Sequence, residues 1–138
     1  MYKIIIFTHD VLSKGLLQTS RIIMGEQPDM ETWSVEPGCN LDDLKEQVVS
    51  SLESSEKAGQ EVLVLSDLMY GTPFNILVEL QEKYQFCHIT GVNLPMLLEA
   101  VNQRGEEPLE QVTENIIKAG KESIFDCKKL LSELEVVV

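Results

Sequence analysis

Two short stretches constrain this chain most: residues 2–7 (Tyr-Lys-Ile-Ile-Ile-Phe) and residues 61–66 (Glu-Val-Leu-Val-Leu-Ser). Both are nearly continuous apolar runs, rich in β-branched and aliphatic side chains. A strand with one face in water alternates apolar with polar residues; these two do not, so each reads as a strand covered on both faces. Each stops abruptly, the first at Thr8-His9-Asp10 and the other at Ser66-Asp67. Helical patterning follows in both cases. That is the signature of central parallel strands in a sheet flanked by helices.

The rest of the chain repeats the alternation. After Asp10, read as an N-cap, a helix reaches to about Met24, with Leu12, Leu16 and Ile23 on its stripe, Leu17 and Met24 beside it, and Gly25 as its stop. Met30 to Val35 alternates like a strand nearer an edge. Asn40 caps a second helix with the stripe Leu41, Leu44, Val48 and Leu52, ending near Gly59. Thr72 caps a third helix with Pro73 at its first position. Residues 86–92 read as a fourth strand and Asn93-Leu94-Pro95 as the start of a short helix through Val101. A polar connector, 103–108, precedes one long final helix whose face runs Leu109, Val112, Ile116, Gly120, Ser123 and Cys127, continued by Leu130, Leu131 and Leu134. The terminal Glu135-Val136-Val137-Val138 has strand propensity. With no repeat or linker, residues 1–138 read as a single α/β domain: an open, mainly parallel sheet of order 2-1-3-4 with helices on both faces and room for a C-terminal edge strand.

Composition excludes several classes. The 138 residues carry 11 basic and 23 acidic side chains, a net charge of −12, which argues against nucleic acid or anionic lipid as a partner. Cys39, Cys87 and Cys127 are odd in number and lack metal-type or CxxC spacing, so they read as reduced thiols with no metal site. No stretch is long and apolar enough to cross a membrane, and the start lacks the layout of a signal peptide. A cytoplasmic protein is expected.

In a 2-1-3-4 sheet the first and third strands are neighbours, so His9 and Asp67 project into one crevice at the switch point, where open α/β folds place ligands. A carboxylate beside an imidazole accepts from Nδ1–H, fixes that tautomer and leaves the Nε2 lone pair facing outward. It also stabilises positive charge developing on the ring. Gly71 permits close backbone approach, and Thr72 to Asn75 offer unpaired N–H groups at a helix start, which bind phosphate without a basic side chain. The combination suggests a histidine that receives a phosphoryl group. His88, inside an apolar strand, reads as a satisfied structural residue, and Trp33 as packing.

Phe7-Thr8-His9, Ser66-Asp67, Gly71-Thr72-Pro73-Phe74-Asn75 and Gly91-Val92-Asn93-Leu94-Pro95-Met96-Leu97 together resemble the enzyme IIA component of the mannose (mannose/fructose/sorbose) family of the bacterial sugar phosphotransferase system. The resemblance covers residues 1 to about 125. It implies the same sheet, with its first and third strands adjacent. It further implies that His9 accepts a phosphoryl group on Nε2 from the phosphocarrier protein HPr and passes it to enzyme IIB, which serves the membrane components IIC and IID. Asp67 matches the carboxylate that orients the histidine. Gly71, Thr72 and Phe74 match the phosphate-binding segment. No organic cofactor is implied, and members commonly pair as homodimers, some by exchanging a C-terminal strand. Two departures stand out: Asp10 follows the histidine where the family usually has Gly, and Leu68-Met69-Tyr70-Gly71 replaces a small, Gly-rich loop.

Two rival readings follow from the same residues. One is a regulatory phosphohistidine domain without onward transfer to a transporter. The other is a receiver-type domain phosphorylated on aspartate, to which Asp10 and Asp67 are a partial match, although no adjacent acidic pair ends the first strand.

Overall fold

The computed structural model describes the backbone of residues 1–137 and the side chains through Glu135. Its strands are β1 (Lys3–His9), β2 (Met30–Val35), β3 (Val62–Ser66) and β4 (Cys87–Thr90). Its helices are α1 (Leu12–Met24), α2 (Leu41–Lys57), α3 (Thr72–Leu80), α4 (Leu94–Asn102), α5 (Leu109–Glu122) and α6 (Cys127–Val137). The four strands form one sheet ordered β2-β1-β3-β4, with every pairing parallel. The expected α/β architecture and strand order are therefore what the chain adopts.

The two unbroken apolar runs are the two inner strands, and burial explains why they need no polar alternation. Ile4, Ile5, Ile6 and Phe7 of β1 and Leu63, Val64 and Leu65 of β3 have no solvent exposure. Successive side chains point to opposite faces. Ile4, Ile6, Leu63 and Leu65 join Leu97, Ala100, Leu109, Val112 and Ile116 on one side. Ile5, Phe7, Val62 and Val64 join Val48, Leu52, Ile76, Leu77 and Leu80 on the other. Burying such a side chain is worth about 1.5–3 kcal/mol, so β1 alone gathers several times the contribution of any surface ion pair in the chain.

Helix α1 departs from the expected pattern. Its covered face is Ser13, Leu17 and Ser20, while Leu12 and Ile23 are about half exposed. The serines bring the helix close to the sheet and satisfy their hydroxyls locally: Ser13 Oγ lies 2.8 Å from Ser34 Oγ, and Ser20 Oγ donates to the Leu17 carbonyl. A stripe read from hydrophobicity misses a face built from small polar residues. Nor is Asp10 the N-cap. It adopts φ 47°, and the side-chain acceptor is Thr8 Oγ1, which takes a hydrogen bond from the Ser13 N–H at 2.8 Å. Gly25, at φ 80°, does end the helix.

Helix α2 starts as expected, with Asn40 Oδ1 accepting from the N–H groups of Asp42 and Asp43. Asn93 does more than begin α4. Its Oδ1 accepts from the Met96 N–H while its Nδ2 donates to the Gly120 carbonyl at 3.1 Å, tying α4 to α5. A Cβ at Gly120 would sit 3.0 Å from Met96 Cε, so glycine lets the two helices meet.

The long final helix is corrected: it breaks at residues 123–126 into α5 and α6. Cys127 lies exposed rather than on the α5 face, and of the described side chains of α6 only Leu130 is even partly covered. The C-terminal edge strand is likewise not formed, since the backbone is helical through Val137; Val138 lies outside the described residues. All three cysteines are free thiols.

The cap at Thr8 gives a first prediction. Thr8→Val keeps the shape but strips the buried acceptor of the Ser13 N–H, and should lower unfolding free energy by about 1–2 kcal/mol, read from urea denaturation. An unchanged midpoint would show that the N–H finds another acceptor.

Candidate functional site

The site is assembled by strand register. Phe7 of β1 pairs with Ser66 of β3, so the residues just beyond, His9 and Asp67, emerge side by side at the carboxyl end of the sheet. There one carboxylate oxygen serves the histidine twice. Asp67 Oδ2 accepts from the His9 backbone N–H at 2.9 Å and lies 2.9 Å from His9 Nδ1. The other oxygen, Oδ1, accepts from the Leu68 N–H at 3.0 Å. An ionised carboxylate has no proton to give, so Nδ1 is the donor and Nε2 is the tautomeric nitrogen with a lone pair. The Asp67 side chain is 8% exposed and that of His9 44%, so the carboxylate is held inside while the imidazole meets solvent.

Burial pushes the Asp67 carboxyl up, but the hydrogen bonds from the His9 backbone and ring, the imidazole's charge and the Leu68 N–H outweigh it and hold the group below its usual range. A depressed folded-state pKa stabilises the fold above the unfolded value, and that contribution disappears as pH falls through the folded value.

Gly71 supplies a wall for the ring. A Cβ built there would lie 2.4 Å from His9 Cε1 and 3.0 Å from Nε2, so only a glycine lets the loop lie against that edge of the imidazole. The next residue opens α3, whose N-terminus thus abuts the Nε2 side of His9. Gly71, rather than the expected Thr72, occupies the cap position, no side chain caps the helix, and Thr72 is its first residue. The Phe74 ring does not enter the site. It packs between Tyr70, at 5.7 Å edge-on, and His88, at 5.5 Å, which leaves only its backbone amide for a ligand.

His88 lies 2.7 Å through Nε2 from Ser66 Oγ, which in turn donates to Thr90 Oγ1. With that hydroxyl proton committed to Thr90, the imidazole is the donor, and burial lowers its pKa. This is the satisfied structural role expected of it. Trp33 packs partly buried against the core, although its Nε1–H has no partner.

Three non-glycine residues have left-handed backbones, and two of them, Asp10 at φ 47° and Tyr70 at φ 69°, bracket His9 along the chain or through Gly71. Asp10 therefore occupies a position where glycine would fit without strain and where aspartate is among the better tolerated side chains. Sequence reasoning did not single out Thr8 or the strain at Tyr70; hydroxyl placement and loop dihedrals leave no periodic signal. Among the described residues, no group of three or more His, Cys, Asp or Glu is gathered to hold a metal ion. Among the described residues, no helix is long and apolar enough to cross a membrane.

The parallel α/β sheet thus presents, at its switch point and beside a helix N-terminus, a histidine bonded to an aspartate through Nδ1 and partly exposed to solvent. Comparison makes the assignment narrower. The family described as "PTS system fructose IIA component" matches residues 3–117, and the chain belongs to it. The mannose-specific EIIAB component of Escherichia coli K12 is 31% identical over 123 residues, 88% of this chain; the chain spans only 38% of that relative's length. The sorbose-specific EIIA component of Lacticaseibacillus casei is 29% identical, covering 87% of this chain and 86% of its own. Among solved structures, the phosphotransferase system component EIIA from Streptococcus agalactiae superposes with a TM-score of 0.85 at 30% identity, over 94% of this chain and 99% of its own.

Two tests address the geometry. Gly71→Ala should displace the imidazole and weaken its bond to Asp67, visible by nitrogen NMR as a mixture of His9 tautomers where the parent shows Nδ1–H alone. In acid, the wild type should lose stability more steeply than Asp67→Asn as pH falls below the usual carboxylate range; parallel curves would mean that Asp67 gains nothing from its donors.

Proposed function

We propose that this chain is a cytoplasmic phosphoryl carrier of a sugar phosphotransferase system, with His9 as the acceptor. The single observation that carries the reading is the Nδ1–H bond to Asp67 Oδ2, which commits Nε2 to act as the nucleophile. The Nε2 lone pair attacks the phosphorus of a phosphohistidine on HPr. The N–P bond to the donor breaks as the new one forms, and the donor's ring nitrogen recovers its electron pair. Positive charge grows on the His9 ring, and the Asp67 carboxylate stabilises it. The amides of Gly71, Thr72 and Phe74 at the start of α3 would cradle the phosphoryl oxygens, helped by the positive end of that helix. Onward transfer to enzyme IIB reverses the step. Because the group arrives activated, positioning and charge stabilisation suffice, and the reaction calls for neither metal nor organic cofactor.

The receiver-type reading is weakened by the same carboxylate. Three N–H donors occupy Asp67, which leaves it poorly placed either to hold a cation or to attack phosphorus. As in the sequence-based expectation, the functional unit would be one domain spanning residues 1–138, acting as a homodimer, with the membrane components IIC and IID reached only through IIB.

Incubation with phosphoenolpyruvate, enzyme I and HPr should add one acid-labile phosphoryl group to the intact mass, absent in His9→Ala. Subsequent addition of the cognate IIB should remove it; a group retained in full would favour a regulatory domain. Asp67→Ala should fold and accept the group about 10- to 100-fold more slowly, the usual loss when an orienting partner is removed. Asp10→Gly should accept it faster than the parent, because a carboxylate next to the acceptor repels the incoming anion; equal rates would reduce Asp10 to a backbone role.

A further inference from the structure

Tyr70 combines features that work against folding. Its backbone is left-handed at φ 69°, a conformation that suits glycine or asparagine and strains a bulky residue. The residue is 78% exposed, and its ring meets that of Phe74 edge-on at 5.7 Å. Such strain persists where a site needs it. The residue that follows, Gly71, lies against His9. Leu68 and Met69 before it are each about half exposed, and so are Val11 and Leu12 beyond His9 in the chain. Exposed apolar residues thus flank, along the chain, both His9 and the Gly71 that lies against it.

On the β1 and β2 side of this end of the sheet the charges have one dominant sign, whereas Lys121, in the last turn of α5, lies beside Gly91 and Asn93 on the β4 side. The loops after β1 and β2 and the first turns of α1 and α2 carry Asp10, Glu36, Asp42 and Asp43, against one cation, Lys14, already paired with Glu36 at 3.1 Å. A complementary face is apolar at its centre and basic at its rim.

We propose that Tyr70 is a specificity-determining contact for the protein that delivers the phosphoryl group to His9, a partner whose docking face has that apolar centre and basic rim. The inference rests on the carrier reading above. Tyr70 is not a catalytic residue: it acts on the partner's surface, while Gly71 beside it holds the imidazole. Rising salt should raise the KM for the donor, since the rim charges are exposed.

The test compares wild type, Tyr70→Gly and Tyr70→Phe. Each is assayed for transfer from phospho-HPr over a range of concentrations. Labelling by phosphoramidate, a small donor with no docking face, is run in parallel to normalise for the reactivity of His9, together with thermal melts. Tyr70→Gly relieves the left-handed strain and should melt at or above the parent, yet its normalised KM for phospho-HPr should rise about tenfold with the maximum rate largely kept, the effect of losing one aromatic interface anchor. Tyr70→Phe should behave as wild type. A normalised KM for Tyr70→Gly within about twofold of the parent would overturn the proposal, as would equal falls in the HPr and phosphoramidate rates, which would make Tyr70 a support for His9. A wild-type protein unlabelled at His9 by either donor would instead refute the carrier reading itself, a result visible without any variant.

Discussion

The parallel pairing of β1 with β3 is the constraint on which the molecule depends. It is made from the most deeply buried side chains in the chain, and its register sets Phe7 opposite Ser66. Everything polar that matters follows within a few residues of that pair. Slipping one strand by a single residue would turn its buried side chains to the opposite face, so the core and the alignment of His9 with Asp67 stand or fall together. The same apolar contacts that hold the sheet together set the 2.9 Å spacing at its edge.

Much of this was legible in the sequence because it is carried by periodicity. An unalternating run such as Ile4-Ile5-Ile6-Phe7 can only be an inner strand or a buried helix, and at this length the strand wins. Two such runs, each followed by a helix, mark the inner strands; that they are neighbours, and so that His9 meets Asp67, was expected from the common 2-1-3-4 order and is what the sheet shows. The break between α5 and α6 was not legible, since apolar residues continue at helical spacing through Cys127 to Leu134 and the chain bends in spite of them. The buried face of α1 escaped for the opposite reason: Ser13 and Ser20 look polar and exposed, yet their hydroxyls are bonded to Ser34 and to the Leu17 carbonyl. Phe74 was placed correctly on its helix, but whether its ring or its amide faces the site is a question of packing against Tyr70 and His88.

The loops around the site divide their labour. Gly71 gives up a side chain so that the chain can lie on the imidazole, and Asp67 gives up solvent to hold it. Asp10 and Tyr70 retain side chains in backbone conformations where glycine would be more comfortable. The inner two residues position the ring, whereas the outer two project charge and aromatic surface outward.

One oxygen of Asp67 holds both the main-chain N–H and the ring of the same histidine, across 58 residues of sequence. The imidazole is therefore referenced to the sheet itself and not to a single free rotamer. Its tautomer becomes a report on tertiary order: a chain whose β1 and β3 have parted carries an ordinary solvent histidine, with neither nitrogen held to a carboxylate. A partly opened copy would lose the bond that keeps the proton on Nδ1, so the alignment of His9 on the sheet and the tautomer of its ring both rest on a single oxygen atom.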